Sequence, residues 1–277
     1  AQSVVSVNGF SMLDGIAKSN SAFALVTMAP FEDRTDPNAS VFAAIRATMM
    51  GGGAIRDAQV IAFNLPPIAG LGMGAGFEYQ LLDLQGRSPA ELAATARGLA
   101  LAANQDPNLA MVYTTFSAET PQVFLDIDRA RLSALGLRLS DVFAALQATL
   151  GKAYVNDFNM FGRAWQVNMT AQESGRDTVD DIGRVHLRTA SGLMVPISAI
   201  ATPRYSVGPA VLTRYNNIRA ATLSGSPGPN VASGQALAAM ERVSAATLPA
   251  GFSFEWTGTA LQEKQAAGQT TMILGLA

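Results

Sequence analysis

Hydrophobic positions along the chain change period several times, and each change marks an element. Residues 77–83 alternate, with Phe77, Tyr79 and Leu81 on one face, the period-two signature of a strand. Ser88-Pro89-Ala90-Glu91 then combines a capping box with proline at the first helical position, which predicts a helix running to about Asn104. Residues 109–113 read as a strand. Much further on, residues 218–224 read as a strand and 231–247 as a helix stopped by Leu248-Pro249-Ala250-Gly251, with 252–256 as a strand. Joined together, these make strand-helix-strand twice over. That is a ferredoxin-like split βαβ unit with residues 114–207 inserted in its middle.

The N-terminal block follows part of the same plan. Residues 3–8 and 22–28 are β-rich. Residues 38–50 have helical spacing (Val41, Ala44, Ile45, Thr48) between the start signal Asp36-Pro37-Asn38 and the stop Gly51-Gly52-Gly53. Residues 59–63 form a short apolar run that reads as a strand. The order 22–28, 38–50, 59–63 parallels 218–224, 231–247, 252–256, a repeat of pattern rather than of identity. The expected fold is therefore α+β, with two ferredoxin-like split βαβ subdomains. The first lacks its opening strand and helix, and the second carries an α+β insert. Within that insert, residues 122–128 alternate, helices are expected at 128–135 and 140–150 on either side of Gly136, and strands at 153–158, 163–170 and 184–188. Ser191-Gly192 between Leu187 and Val195 signals a hairpin.

Composition removes most chemistry. Charged residues are 14% of the 277 positions, against about 25% in an ordinary domain. There is no cysteine and a single histidine, His186. Disulfide frameworks, thiolate nucleophiles and multi-histidine zinc sites are excluded. A net charge of −2 argues against a nucleic-acid partner. The hydrophobic fraction of 49% is too high for a disordered chain, yet no apolar run reaches the ~20 residues of a membrane span. The uncharged stretch 265–277, ending Met272-Ile273-Leu274-Gly275-Leu276-Ala277, follows Gln262-Glu263-Lys264. It is expected either to pack as a short terminal helix or to lead into a hydrophobic segment of a longer protein, of which this chain would be an internal piece.

The remaining candidates are weak as catalysts. Gly70, Gly72, Gly74 and Gly76 precede a strand rather than open a helix, so they read as a connector and not as a phosphate cradle. Asp126 and Asp128, and Asp180 and Asp181, are carboxylate pairs open to metal or acid–base work, but Asp128 is placed to cap a helix and the second pair falls in a polar turn. No Gly-x-Ser-x-Gly motif occurs. What stands out is apolar. Val5, Val7, Phe10 and Met12 run into the segment 8–18, which holds two glycines and no proline. Ile61, Phe63 and Leu65 lead into the Gly-rich connector with Met73. Methionine and phenylalanine beside flexible backbone suit promiscuous binding of greasy ligands, and they also suit an ordinary core.

A set of short motifs occurs in fixed order: Val7-Asn8-Gly9-Phe10, Phe63-Asn64-Leu65-Pro66, Gly76-Phe77, Thr120-Pro121-Gln122, Asp126-Ile127-Asp128, Tyr154-Val155-Asn156-Asp157-Phe158, Asp180-Asp181-Ile182-Gly183, Met194-Val195-Pro196, Arg214-Tyr215-Asn216, and Trp256-Thr257-Gly258 with Gln262-Glu263. Along its whole length the chain resembles the second large periplasmic loop of resistance-nodulation-division multidrug efflux transporters, hydrophobe/amphiphile subfamily.

The resemblance implies a division into residues 1–69 as a partial porter subdomain, 70–113 with 208–258 as a second porter subdomain, 114–207 as a docking subdomain, and 259–277 as the junction to a transmembrane helix. It implies a substrate pocket at Val5, Val7, Phe10, Met12, Ile61, Phe63, Leu65 and Met73. It also implies a switch loop over 8–18, with Asn8, Gly9, Ser11, Leu13, Asp14 and Gly15 in it, and a docking hairpin tipped by Ser191 and Gly192. Tyr113 stands where members of the family can carry a basic entrance residue. The implied partners are hydrophobic or amphiphilic small molecules, two further copies in a homotrimer, a periplasmic adaptor and an outer-membrane channel. No cofactor and no enzymatic step are implied. The family's proton-carrying residues lie in membrane helices outside this chain. A stand-alone ligand-binding protein with ferredoxin-like repeats, or a small enzyme using Asp126 and Asp128, are the competing expectations.

Overall fold

The computed structural model describes residues 2–65 and 76–276, with side-chain surroundings as far as Ala267. In chain order the strands and α-helices are β1 (Ser3–Ser11), β2 (Ile16–Thr27), α1 (Val41–Gly52), β3 (Phe77–Asp83), α2 (Pro89–Ala103), β4 (Leu109–Thr114), β5 (Thr120–Ile127), α3 (Arg129–Ala134), α4 (Leu139–Leu150), β6 (Ala153–Met160), β7 (Arg163–Met169), α5 (Val179–Arg184), β8 (His186–Arg188), β9 (Met194–Pro196), β10 (Ala201–Gly208), β11 (Thr213–Tyr215), β12 (Ile218–Pro227), α6 (Ser233–Thr247), β13 (Phe252–Thr257) and α7 (Gly258–Leu276). They divide into two compact units, residues 1–119 with 209–277, and residues 120–208.

The first unit is organised by one antiparallel sheet. Its order runs β13-β3-β12, with β4 and the short β11 both on the far side of β12. Counting only the four strands of the two strand-helix-strand halves, this is the order 4-1-3-2 expected of a split βαβ unit. Tyr79 lies opposite Leu223 on one side and Trp256 on the other. Tyr79 stacks on Phe254 at 4.8 Å and meets the edge of Trp256 at 5.3 Å, geometries favoured by the ring quadrupoles. Leu92, Ala96 and Leu99 of α2 and Ala236, Leu237 and Met240 of α6 close over Tyr79, Leu81 and Leu223 to form the main core. The capping box that starts α2 forms as expected: the Glu91 backbone N–H donates to the Ser88 hydroxyl, and the Ser88 backbone N–H to the Glu91 carboxylate. Gly225 admits the Phe77 ring, which would stand 2.6 Å from a Cβ at that position.

Helix α7 is fastened to α6. The Ser233 hydroxyl donates to Glu263 at 2.6 Å, and Lys264 pairs with Glu241 at 2.6 Å. Trp256 Nε1 donates to the same Glu241 carboxylate. Among the described residues no helix is long and apolar enough to cross a membrane.

The N-terminal block differs from expectation. Its β1–β2 hairpin forms a two-stranded sheet of its own, and α1 forms with Ser40 as N-cap, its hydroxyl accepting from the Ala43 N–H. Residues 59–63 are not a strand. An isolated apolar run needs a neighbouring strand to satisfy its backbone, and here the segment lies instead along the end of α1. The Ala62 N–H donates to the Met49 sulfur, and Val60 occupies the space over Gly52.

The second unit, Thr120–Gly208, holds three two-stranded antiparallel sheets, β5–β10, β6–β7 and β8–β9. Its core is Leu132, Val142, Leu187, Ile197 and Ile200. Asp128 caps α3 by accepting from the N–H groups of Ala130 and Arg131. Asp180 and Asp181 do not lie in a turn. They open α5, where Asp181 accepts from the backbone and hydroxyl of Thr178 and from Arg184.

Candidate functional site

The expected switch loop is a hairpin end. β1 continues to Ser11 and β2 begins at Ile16, so only Met12 to Gly15 form the turn. Asp14-Gly15 is the dipeptide that a tight hairpin favours, and Gly15 adopts φ +68°. Ser11 closes the turn from inside: its hydroxyl donates to the Asp14 carboxylate at 2.7 Å and accepts from the Asp14 N–H. Below the turn the register jumps. Asn8 pairs with Ala22, but Phe10 pairs with Ala17. Gly9, at φ +79°, bridges the irregularity, a conformation cheap only for glycine.

That jump aims the rings. Val7 lies opposite Phe23, and Phe10 meets Phe23 edge-on with centroids 6.0 Å apart. Phe23 thus touches Phe10 and pairs with Val7, two of the residues expected in the pocket, and was not singled out from the sequence; the pairing of Val7 with the run 22–28 is the signal that would have found it. Val4, Val5, Leu25 and Val26 remain exposed on the same hairpin. Met12 and Leu13 are half-buried in the turn. Ile61 and Phe63 are half-buried, and Leu65 exposed, on the segment held against α1. Met73 lies outside the described residues.

The turn faces a cleft in the first unit. Asp14, Ile16 and Lys18 form one side, and Thr115, Phe116, Ser117, Val211 and Thr222 are among the residues of the others. Its water-accessible interior is about 30 Å³, far below the roughly 300–1,000 Å³ of a drug-sized site. The walls mix hydroxyls with apolar carbon, and their one ion pair is Lys18 with Asp14 at 3.4 Å. Nearby on β4, Tyr113 is half-buried. Burial pushes its phenol above the ordinary value, and the Glu78 charge adds to that, while a hydrogen bond to Ser224 opposes it. A neutral phenol there cannot supply the cationic contact of a basic entrance residue.

The second candidate site is the turn of β8–β9. Gly192 takes φ +90°, and the Ser191 and Thr189 hydroxyls share a hydrogen bond of 2.9 Å. Leu193 and Met194 are exposed beside it. Among the described residues no cluster of acidic and histidine side chains could hold a metal. Asp126 sits on β5, Asp128 is occupied in its cap, and His186 is exposed on β8.

Comparison with known proteins bears on this arrangement. The sequence profile of the AcrB/AcrD/AcrF family matches residues 1–277. The chain is 36% identical over 276 residues to the multidrug export protein AcrF of Escherichia coli K12. It is 34% identical over 274 residues to the toluene efflux pump membrane transporter TtgB of Pseudomonas putida, and 32% identical over 276 to the multidrug resistance protein MdtF of Escherichia coli K12. In each case 99% of this chain aligns with 26% of the relative, so the chain spans about a quarter of the length of the curated relatives it matches.

Proposed function

The chain belongs to the AcrB/AcrD/AcrF family of resistance-nodulation-division multidrug efflux transporters, and from that premise we propose that it is the second periplasmic loop of an inner-membrane, proton-driven pump of a Gram-negative bacterium. It captures hydrophobic and amphiphilic compounds and passes them toward an outer-membrane channel. The match of the entire chain to multidrug and solvent transporters carries this reading, and it does not favour a stand-alone binding protein.

The proposed work is mechanical. Residues 1–69 act as a partial porter subdomain, and 70–113 with 208–258 as its neighbour. Residues 114–207 act as the docking subdomain, with Ser191 and Gly192 at the tip facing the outer-membrane channel, and 259–277 lead to a transmembrane helix. Val5, Val7, Phe10, Met12, Ile61, Phe63, Leu65 and Met73 hold substrate, joined by Phe23 through its contact with Phe10. Asn8, Gly9, Ser11, Leu13, Asp14 and Gly15 form the moving loop. Aromatic edges and aliphatic surface bind greasy ligands by area and ring geometry rather than by a fixed polar pattern. A shape change driven by protonation in the membrane part shifts affinity between capture and release states. No bond is made or broken in the substrate, so no catalytic residue or cofactor is required. The pump works as a homotrimer with a periplasmic adaptor.

The test is drug susceptibility of pump-deficient cells expressing the whole transporter. Replacing Phe10 and Phe63 together with alanine should lower resistance to large apolar drugs while expression is maintained. Unchanged susceptibility across a broad panel contradicts the pocket assignment.

A further inference from the structure

At the end of β2, away from the hairpin turn, one aromatic ring stands in solvent on a rigid support. Thr27 pairs with Ser3, so the segment after β2 lies at the other end of the hairpin from Met12 to Gly15. In it Phe31 is 86% exposed. Residues Phe31–Asp33 form a 3-10 turn after Pro30, in which the Asp33 N–H donates to the Pro30 carbonyl and the Arg34 N–H to that of Phe31. Arg34 folds back over the ring, its guanidinium carbon 4.6 Å from the centroid. The same guanidinium donates to the carbonyls of Ala29 at 2.8 Å and Ala39 at 3.2 Å, and to the Met28 sulfur at 3.7 Å. It therefore staples the two ends of the loop together and holds the ring in place. Asp36 is occupied, accepting from the Asn38 N–H. Glu32 and Asp33 are exposed, and their carboxylates have no ion-pair or hydrogen-bond partner among the described residues.

We propose that this loop is a protein-docking anchor: Phe31, held by Arg34 and flanked by Glu32 and Asp33, receives a lysine or arginine from a basic segment of the periplasmic adaptor. This deepens the efflux reading and rests on it. An aromatic side chain that is already immobile costs little entropy to bury, and such residues dominate the energetics of protein interfaces. Arg34 covers one side of the ring and is spent on backbone acceptors, which leaves the rest of the ring open. A basic side chain laid along it sets its stem on the ring and its head on the Glu32 or Asp33 carboxylate. Charge selects the occupant. Residues 30–36 carry three carboxylates, Glu32, Asp33 and Asp36, against the single Arg34. A leaflet rich in anionic lipid repels that loop. The same loop on a second copy repels it too, whereas a basic protein segment is drawn to it.

The test uses the full-length transporter produced with its adaptor in pump-deficient cells, with Phe31 replaced by the photoreactive p-benzoylphenylalanine. Irradiation should join the transporter to the adaptor, and the joined adaptor peptide should contain a lysine or arginine. Reversing the charge by Glu32→Lys with Asp33→Lys should cut the yield of that adduct about three- to tenfold, the size of one or two exposed charge pairs. Changing the mapped basic residue of the adaptor to glutamate should restore it. These positions are exposed, so the variants keep the fold, and equal transporter levels on a blot check this. An adduct with a second copy of the transporter, with another part of its own chain or with lipid overturns the anchor. So does an adaptor peptide without a basic residue, a yield that charge reversal leaves unchanged or that the compensating glutamate does not restore, or no adduct at all. If the wild type still exports ethidium in those cases, the efflux reading stands. A wild-type transporter that exports no ethidium with its adaptor present overturns the efflux reading, and the anchor with it.

Discussion

The phenol of Tyr79 and the hydroxyl of Ser244 meet at 2.8 Å, with Tyr79 wholly buried and Ser244 almost so. Ser244 has one proton, and it goes to the Met240 carbonyl at 2.7 Å. Tyr79 is therefore the donor of the shared bond, and the central strand β3 is tied to helix α6 through a polar link inside an apolar core. Ser244→Ala leaves that phenol buried without an acceptor and should destabilise the chain by about 1–3 kcal/mol. Tyr79→Phe removes donor and desolvation cost together and should cost less. Chemical unfolding of both variants checks the order.

Alkaline pH should loosen the same unit. Burial raises the phenols of Tyr79 and Tyr113 above the ordinary value. A raised phenol favours the protonated form in the fold, so its contribution is complete below the unfolded value of about 10 and declines as pH climbs above it. Midpoints of denaturant unfolding should hold steady up to about pH 9 and then drop. Tyr113→Phe should make the drop shallower, and an equal slope in that variant would count against the assignment.

Acid acts on the junction of α6 and α7. Burial alone would raise the Glu241 carboxyl, but the Lys264 ammonium and the Trp256 N–H outweigh it and hold the group below the ordinary carboxylate range. Its contribution is present above pH about 4.3 and is lost as pH falls through the lower folded value. Partial exposure keeps the pair worth about 1 kcal/mol or less. In a Trp165→Phe background, Trp256 emission should shift on acidification below the ordinary carboxylate range, and Glu241→Gln should abolish that shift.

Gly225 gives a test of packing without charge. A Cβ there would stand 2.6 Å from the Phe77 ring and 2.9 Å from Val112. Gly225→Ala should destabilise the first unit by about 1–3 kcal/mol through overpacking, whereas Gly98→Ala on α2, where a Cβ meets nothing within 4 Å, should be neutral or stabilising.

These elements differ in how far sequence revealed them. Alternation at Phe77, Tyr79 and Leu81 and the Ser88–Glu91 box were legible because period and cap are local properties, and β3 and α2 follow them closely. β10 was missed. It pairs with β5 along eight positions, but it contains Pro203 and its burial pattern does not alternate cleanly, as a strand with one free edge permits. The strand expected at 59–63 failed for the converse reason: its residues have strand character but no partner strand among the described residues. In the candidate site, Phe10, Val7 and Asp14 were legible as residues. The Phe10–Phe23 contact was not, because it depends on the register jump at Gly9. The hydrogen bond from the Thr115 hydroxyl to Asp14 was not, because nothing local links positions 101 apart.

The central proposal is that this chain carries greasy substrates past the Phe10 hairpin. Extrusion of a preloaded fluorescent amphiphile from energised, pump-deficient cells expressing the whole transporter tests it most directly. The wild type should clear the dye, an uncoupler should stop clearance, and the Phe10→Ala, Phe23→Ala pair should slow it severalfold at equal expression. Equal clearance by cells with and without the transporter, or by the wild type and the paired variant, would contradict it.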